Sequence, residues 1–276
     1  MNRRITDEAF PYYRCGSCGL VFLHPLPADL GRFYPPNYHE FPASLEDLLR
    51  GGRRTEAYKL EAIGERGRGR RLLEIGPSFG KFAALAKQYG FDVEAIEMDP
   101  GCCSFLERVV GIRAYLAQDV GAVLRGLGQY DVIALWHSLE HLPDPWSLLD
   151  ALPEHLARGG LLAVATPNPW SLQFRVFGKR WIHLDAPRHV NLIPHSLLER
   201  RLTRRGMRQV HFSSEDQGAQ ECNLLGWIAS VRTSIPRSDR HPLVSLAWRL
   251  TVPLSRLIEG GTRGAAYTMV FSGSAQ

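Results

Sequence analysis

The chain has 276 residues, 45% of them hydrophobic and 22% charged, with a formal net charge of +5. Length and composition of this kind build a globular protein with a sizeable core and exclude a disordered or fibrous chain. The basic excess is mild and spread out, apart from locally basic stretches at 66–71 and 200–208. It favours an anionic substrate or surface, and no nucleic acid partner is expected.

Five cysteines, at positions 15, 18, 102, 103 and 222, form an odd set with one adjacent pair. That is a poor disulfide framework, so reduced thiols and a cytoplasmic address are expected. No run of about 18 uncharged apolar residues occurs. The nearest approach, 243–258, is interrupted by Arg249 and Arg256. As a basic, partly amphipathic helix it is suited to peripheral membrane contact or to packing, and not to spanning.

In chain order, residues 1–66 read as an N-terminal appendage. The glycine- and arginine-rich segment 64–71 then leads into a regular alternation: strand 71–75, helix 80–89, strand 92–97, helix 100–109, strand 113–116, helix 120–127, strand 130–136, helix 145–157, strand 160–166. Gly90, Gly111 and Gly159-Gly160 stand where helices should stop, and Pro153 predicts a break in the fourth long helix. Such alternation implies right-handed crossovers and a parallel sheet covered on both faces. Residues 167–194, rich in proline and holding Trp170, Phe174, Phe177 and Trp181, read as a lid or substrate wall. The aromatics either wall an acceptor or form satellite core, the latter for at least two of them. A helix 195–205, a strand 207–213, helical material over 220–260 and a final strand 265–271 follow. Residues 67–276 thus form the main domain, with 167–194 and 218–262 as its lid and acceptor region.

The first strand runs into Gly76-Pro77-Ser78-Phe79-Gly80 and then a helix. A tight glycine turn at the carboxyl end of a strand is where doubly wound sheets bind nucleotides. Twenty-one residues beyond Gly76, Glu97 ends the second strand, placed to accept hydrogen bonds from two ribose hydroxyls. Ser78 and Lys81 occupy positions that a dinucleotide fingerprint reserves for glycine, which argues against a pyrophosphate on the helix start.

The segments Glu74–Gly80, Val93–Pro100, Tyr130–Pro145 and Gly159–Asn168 resemble the class I S-adenosylmethionine-dependent methyltransferases. The resemblance covers about residues 70–215. It implies an α/β, Rossmann-like doubly wound sheet of seven mostly parallel strands with an antiparallel last strand. It also implies S-adenosylmethionine as cofactor: Glu74 and the turn 76–80 would hold its methionine portion, Glu97 its ribose, Met98 and Asp119 its adenine, and Trp136, His137 and Ser138 would lie near its sulfur. Two further segments are similar to a subgroup associated with sugar, polyketide or cell-envelope biosynthesis. Tyr13–Pro25, with the connector Phe33–Tyr38, resembles the second half of a zinc ribbon, and Trp181–Pro194 the subgroup's approach to strand six.

A structural zinc site needs four ligands. Cys15 and Cys18 supply two, and His24 and His39 are poor candidates to complete the set, so no metal is expected. Methyl transfer to a hydroxyl needs a base, for which histidine suits neutral pH. The candidates are His137, His141, His183 and His189. His189 is favoured, with Arg188 beside it to grip a phosphate or carboxylate, while Glu140 and His141 are expected to orient their loop. The expected acceptor is a small-molecule biosynthetic intermediate, such as a sugar derivative. An NAD-dependent oxidoreductase and a noncatalytic cofactor-binding protein are the competing readings.

Overall fold

A computed structural model describes residues 8–35, 38–64, 69–234 and 259–273. The alternating half of the sequence forms the strands β3 (Arg71–Ile75), β4 (Asp92–Glu97), β5 (Arg113–Leu116), β6 (Tyr130–Trp136) and β7 (Leu156–Pro167). With β9 (Arg208–Ser213) and β10 (Ala266–Ser272) they make a seven-stranded sheet in the order β5-β4-β3-β6-β7-β10-β9. β3 to β7 pair in parallel, whereas β10 runs antiparallel to both β7 and β9. The expected sheet, with its reversed last strand, is the one observed.

Both faces are covered, as the unbroken apolar runs of the central strands require. Leu73, Ile75, Ile133, Leu135, Leu162 and Val164 pack beneath the helices α6 (Pro145–Ala151) and α8 (His195–Arg204). Their alternates Leu72, Val132, Ala134 and Ala163 pack under α3 (Lys81–Gln88) and α4 (Pro100–Phe105), and under two earlier helices, α1 (Leu45–Thr55) and α2 (Ala57–Ile63). Leu48, Ala62 and Ile63 carry α1 and α2 into that core, so the segment 45–63 is packed as part of the sheet's covering layer.

Two boundaries differ from expectation. The fourth long helix ends at Ala151 and passes into a 3-10 turn, Leu152–His155, before β7 begins at Leu156. Pro153 explains the break. Gly159 and Gly160 do not cap a helix: they lie inside β7, where the pairing with β6 shifts register between Tyr130 and Val132. Gly159 has φ 73°, and a Cβ on Gly160 would stand 2.8 Å from the Ala157 carbonyl, the marks of a glycine bulge. The helix expected over 120–127 is the shorter α5 (Val120–Leu124).

The N-terminal segment forms a small sheet of its own. β1 (Tyr12–Arg14) and β2 (Val21–Leu23) make a hairpin, and β8 (Asn191–Leu192) joins its free edge. Beneath it Val21, Trp181, Leu184 and Leu192 form a satellite core together with Phe174 and Phe177, from the segment around α7 (Leu172–Phe177). The helix α9 (Gln217–Ser234) closes this region, its Ser230 Oγ accepting from the Ile182 amide at 2.9 Å. The amphipathic stretch 243–258 lies outside the described residues. Among the described residues no helix is long and apolar enough to cross a membrane.

Candidate active site

Strands β3, β4 and β6 end at one cavity of about 620 Å³. Its floor is the turn after β3. Gly76 takes φ 73°, and a Cβ there would fall 2.6 Å from the Cβ of Ser138, so the backbone is bare where a ligand must come closest. Ser78 also adopts a left-handed backbone, φ 57°. Its amide donates to Glu97 Oε2 at 2.9 Å and its hydroxyl meets His39 Nδ1 at 3.0 Å.

Glu97 stands at the end of β4, 7% exposed, and lines the cavity. Burial raises its pKa, against which the amides of Asp99, Ser78 and Met98 pull it down. Oε1 accepts from Met98 at 2.7 Å and Asp99 at 3.0 Å. Those three amides fix the carboxylate's orientation and leave a lone pair of Oε2 for a further donor.

Beyond β6, His137 takes φ 53° and Ser138 follows it into the cavity wall. A left-handed non-glycine residue at a cleft is strain retained where the surroundings over-determine it. His137 Nδ1 lies 3.6 Å from Glu140 Oε1. Glu140 is 1% exposed and accepts from Thr166 Oγ1 at 3.0 Å. Burial pushes its carboxyl up, but the neighbouring His137, His189 and His141 outweigh this and hold it down at about 2. His141, also in the wall, is held down to about 4 by burial first and by His189 second. The rings of His141 and His189 meet edge to face at 4.7 Å.

Of the cofactor residues read from the sequence, Gly76, Ser78, Glu97, Met98, His137 and Ser138 line this cavity. Glu74, Pro77, Phe79, Gly80, Asp119 and Trp136 do not. Glu74 is 2% exposed beneath the turn, and burial pushes its carboxyl up to about 8. Trp136 packs on Phe82, with Lys59 Nζ 5.1 Å from its ring. Asp119 is exposed and caps α5, accepting from the Ala122 amide at 3.0 Å; its neighbours Gln118 and Val120 reach the cavity instead. Phe79 turns outward to meet Phe41.

Among the catalytic candidates His137 faces the cavity, whereas His189 sits behind His141, its Nδ1 2.8 Å from the His183 carbonyl. Arg188 is 4% exposed and already grips a carboxylate, Asp185, through Nε at 3.0 Å. Its guanidinium lies over the rings of Tyr34 and Tyr38, at 5.9 and 5.2 Å.

The aromatic wall comes from an unexpected place. Tyr34, Tyr38, His39 and Phe41, from the N-terminal segment, close one side of the cavity. Trp181, Phe174 and Phe177 belong to the satellite core, and Trp170 packs on His195. The signal for the cover was the aromatic density of 33–41, which has no periodicity to assign it to any face. The segment with the zinc-ribbon likeness forms the β1–β2 hairpin. Cys15 and Cys18 flank the hairpin turn, with Cys15 Sγ 3.1 Å from Ser17 Oγ. His24 meets Tyr13 edge to face, and the His39 ring meets the Ser78 hydroxyl.

The residues present fit S-adenosylmethionine. The buried Ser138 Oγ has no protein partner, the bare backbone at Gly76 leaves room beside it, and Glu97 offers an oriented carboxylate at the strand end. A seven-stranded sheet in this order, with a nucleoside-sized cavity at the carboxyl ends of its first strands, defines a Rossmann-like enzyme fold. The chain belongs to the methyltransferase-domain family, whose family model matches residues 49–211. It is 28% identical over 135 residues to the ubiquinone biosynthesis O-methyltransferase of Bordetella avium, covering 46% of this chain and 56% of that protein. To the protein of that name from Marinobacter nauticus it is 30% identical over 135 residues, 46% and 54% of the two chains. The chain therefore spans about half the length of the curated relatives it matches. In fold it is similar to the crystal structure of a SAM-dependent methyltransferase from Archaeoglobus fulgidus, with TM-score 0.54, 20% identity and coverage of 83% and 94%.

Proposed function

We propose that the protein transfers a methyl group from S-adenosylmethionine to a small-molecule acceptor, at oxygen. The observation that carries this is the pairing of Glu97 with the bare turn at Gly76 across one cavity, with His137 at its far wall. The O-methyltransferase names of the relatives support oxygen as the acceptor atom. A hydroxylated biosynthetic intermediate, whether aromatic or a sugar derivative, suits a cavity walled by Tyr34, Tyr38 and Phe41.

When bound, the cofactor supplies an electrophilic methyl on a sulfonium. Glu97 Oε2 would accept from its ribose, and Ser138 Oγ and the backbone at Gly76 and Ser78 would hold its amino-acid end. Positioning of this kind supplies much of the rate enhancement of an in-line transfer. His137 takes the acceptor's proton at Nε2, since its Nδ1 is turned to Glu140, and Glu140 stabilises the cation that forms. Asp119 caps its helix, and His189 and Arg188 act from behind His141 and the tyrosine pair as positioning residues. Tyr34, Tyr38, His39 and Phe41 would cover the cofactor and keep water out, and β8, from the segment 167–194, pairs with β2 ahead of them.

Calorimetric titration with S-adenosylhomocysteine and, separately, NADH tests the reading. Saturable binding of the first alone is expected, weakened in Glu97→Ala by about tenfold to a hundredfold, the worth of a charge-assisted hydrogen bond. Binding of NADH, or undiminished binding in Glu97→Ala, would overturn it.

A further inference from the structure

The geometry points to a divalent-metal site formed by Glu140, His141 and His189 behind the cavity wall, with its open coordination position toward the acceptor. One ligand atom from each of the three residues lies within 4.8 Å of the others, and His141 lines the cavity. Ligands around a tetrahedral ion at about 2.1 Å stand roughly 3.4 Å apart, so the three groups must draw closer to hold an ion.

Three observations select a metal over an ordinary hydrogen-bonded cluster. The imidazole of His189 has its tautomer fixed from outside: its Nδ1 faces the His183 carbonyl at 2.8 Å, and a carbonyl only accepts, so that Nδ1 carries the hydrogen and Nε2, 3.8 Å from Asp185 Oδ2, keeps its lone pair. Metal-ligating histidines are held in this manner, by a carbonyl on the far nitrogen. His141 Nδ1 lies between the Arg188 carbonyl at 3.1 Å and the Tyr34 hydroxyl at 3.0 Å. Second, Glu140 is a buried carboxylate whose ion pair, among the described residues, is with His137 at 3.6 Å. Arg188, the nearby arginine, is committed to Asp185. Third, two histidines and one carboxylate with a vacant position are the donor set of a catalytic Zn²⁺ site, and the set also suits Mn²⁺ or Fe²⁺. His141 reaches the cavity wall, so an acceptor hydroxyl entering there can take the vacant position and lose its proton more readily. The site goes beyond methyl transfer as such and does not depend on it.

The test is Zn²⁺ titration by calorimetry of tag-free protein carrying Cys15→Ser and Cys18→Ser, so that the hairpin thiols cannot hold the ion. The expected result is saturable binding of one equivalent, weakened about tenfold or more in each of Glu140→Gln, His141→Gln and His189→Gln. Co²⁺ substituted at the site should give the visible spectrum of nitrogen and oxygen ligation, without a thiolate charge-transfer band. Absence of saturable binding in the Cys-free protein overturns the proposal, whatever the fate of the three variants. So does binding that all three leave unchanged. S-adenosylhomocysteine titrated into the same samples separates the two readings: its binding should persist without the metal, and its loss from the Cys-free protein would count against the cofactor assignment alone.

Discussion

Gly76 is the residue at which sequence and geometry agree most closely. Its φ of 73° and the 2.6 Å approach of Ser138 to a would-be Cβ give Gly76→Ala two separate costs. A left-handed alanine costs about 1–3 kcal/mol, and the Ser138 wall must also move. We expect a lower melting temperature by thermal unfolding and lost affinity for S-adenosylhomocysteine by calorimetry. Ser78 shows the limit of such reading. Its left-handed backbone is what the sequence position predicts for a glycine, but its hydroxyl holds His39, a contact 39 residues away that no local pattern announces.

Glu74 adds a pH dependence at the same scale. Burial holds its carboxyl at about 8 in the folded protein, against an ordinary value of 4.5. Between those values the unfolded chain ionises at this site and the folded one does not, so this group's contribution to stability falls as pH rises through the window and is level above it. Glu74→Gln should flatten the decline in urea midpoint between pH 4.5 and 8. An unchanged decline would show that Glu74 ionises in the fold, paired with a cation such as Lys59.

Among elements, the central strands were legible because a parallel strand buried on both faces must be apolar throughout, and 71–75 and 130–136 are. The start of β7 was not, because a glycine pair after a helix signals a cap as well as a bulge. Only the pairing of Leu156 with Tyr130 decides between them. The aromatic cover was the larger omission, since its contacts to the loops after β3 and β6 and to α4 are all long-range. Phe41 stacks on Phe105 at 5.2 Å and meets Phe79 at 6.3 Å while remaining 43% exposed. Phe41→Ala should therefore weaken S-adenosylhomocysteine binding by about twofold to tenfold, the worth of an aromatic pair, with little change in melting temperature. The hairpin turn carries a further expectation. The Ser17 hydroxyl and the amides of Cys18 and Ser17 pull the partly exposed Cys15 thiol down to about 6, whereas burial pushes Cys222 up to about 12. Brief iodoacetamide treatment at pH 7, mapped by mass spectrometry, should label Cys15 and spare Cys222.

For the whole molecule, the cavity joins parts distant in sequence: Gly76 and Ser78, Glu97, Gln118, His137 and Ser138, and the cover residues Tyr34, Tyr38 and Phe41. A ligand touching all of them binds only the folded chain, and so stabilises it by mass action. At a concentration one hundred times its dissociation constant it adds about 2.7 kcal/mol, which for a chain near this size raises the melting temperature by roughly 5 °C or more. S-adenosylhomocysteine should give that shift and NADH none. A variant lacking residues 1–43 should melt cooperatively, because Leu48, Ala62 and Ile63 remain packed in the sheet core, yet show a smaller shift because the cover is gone. If the truncated protein responds in full, the cover has no part in holding the nucleoside, and the cavity's affinity resides in the strand ends alone.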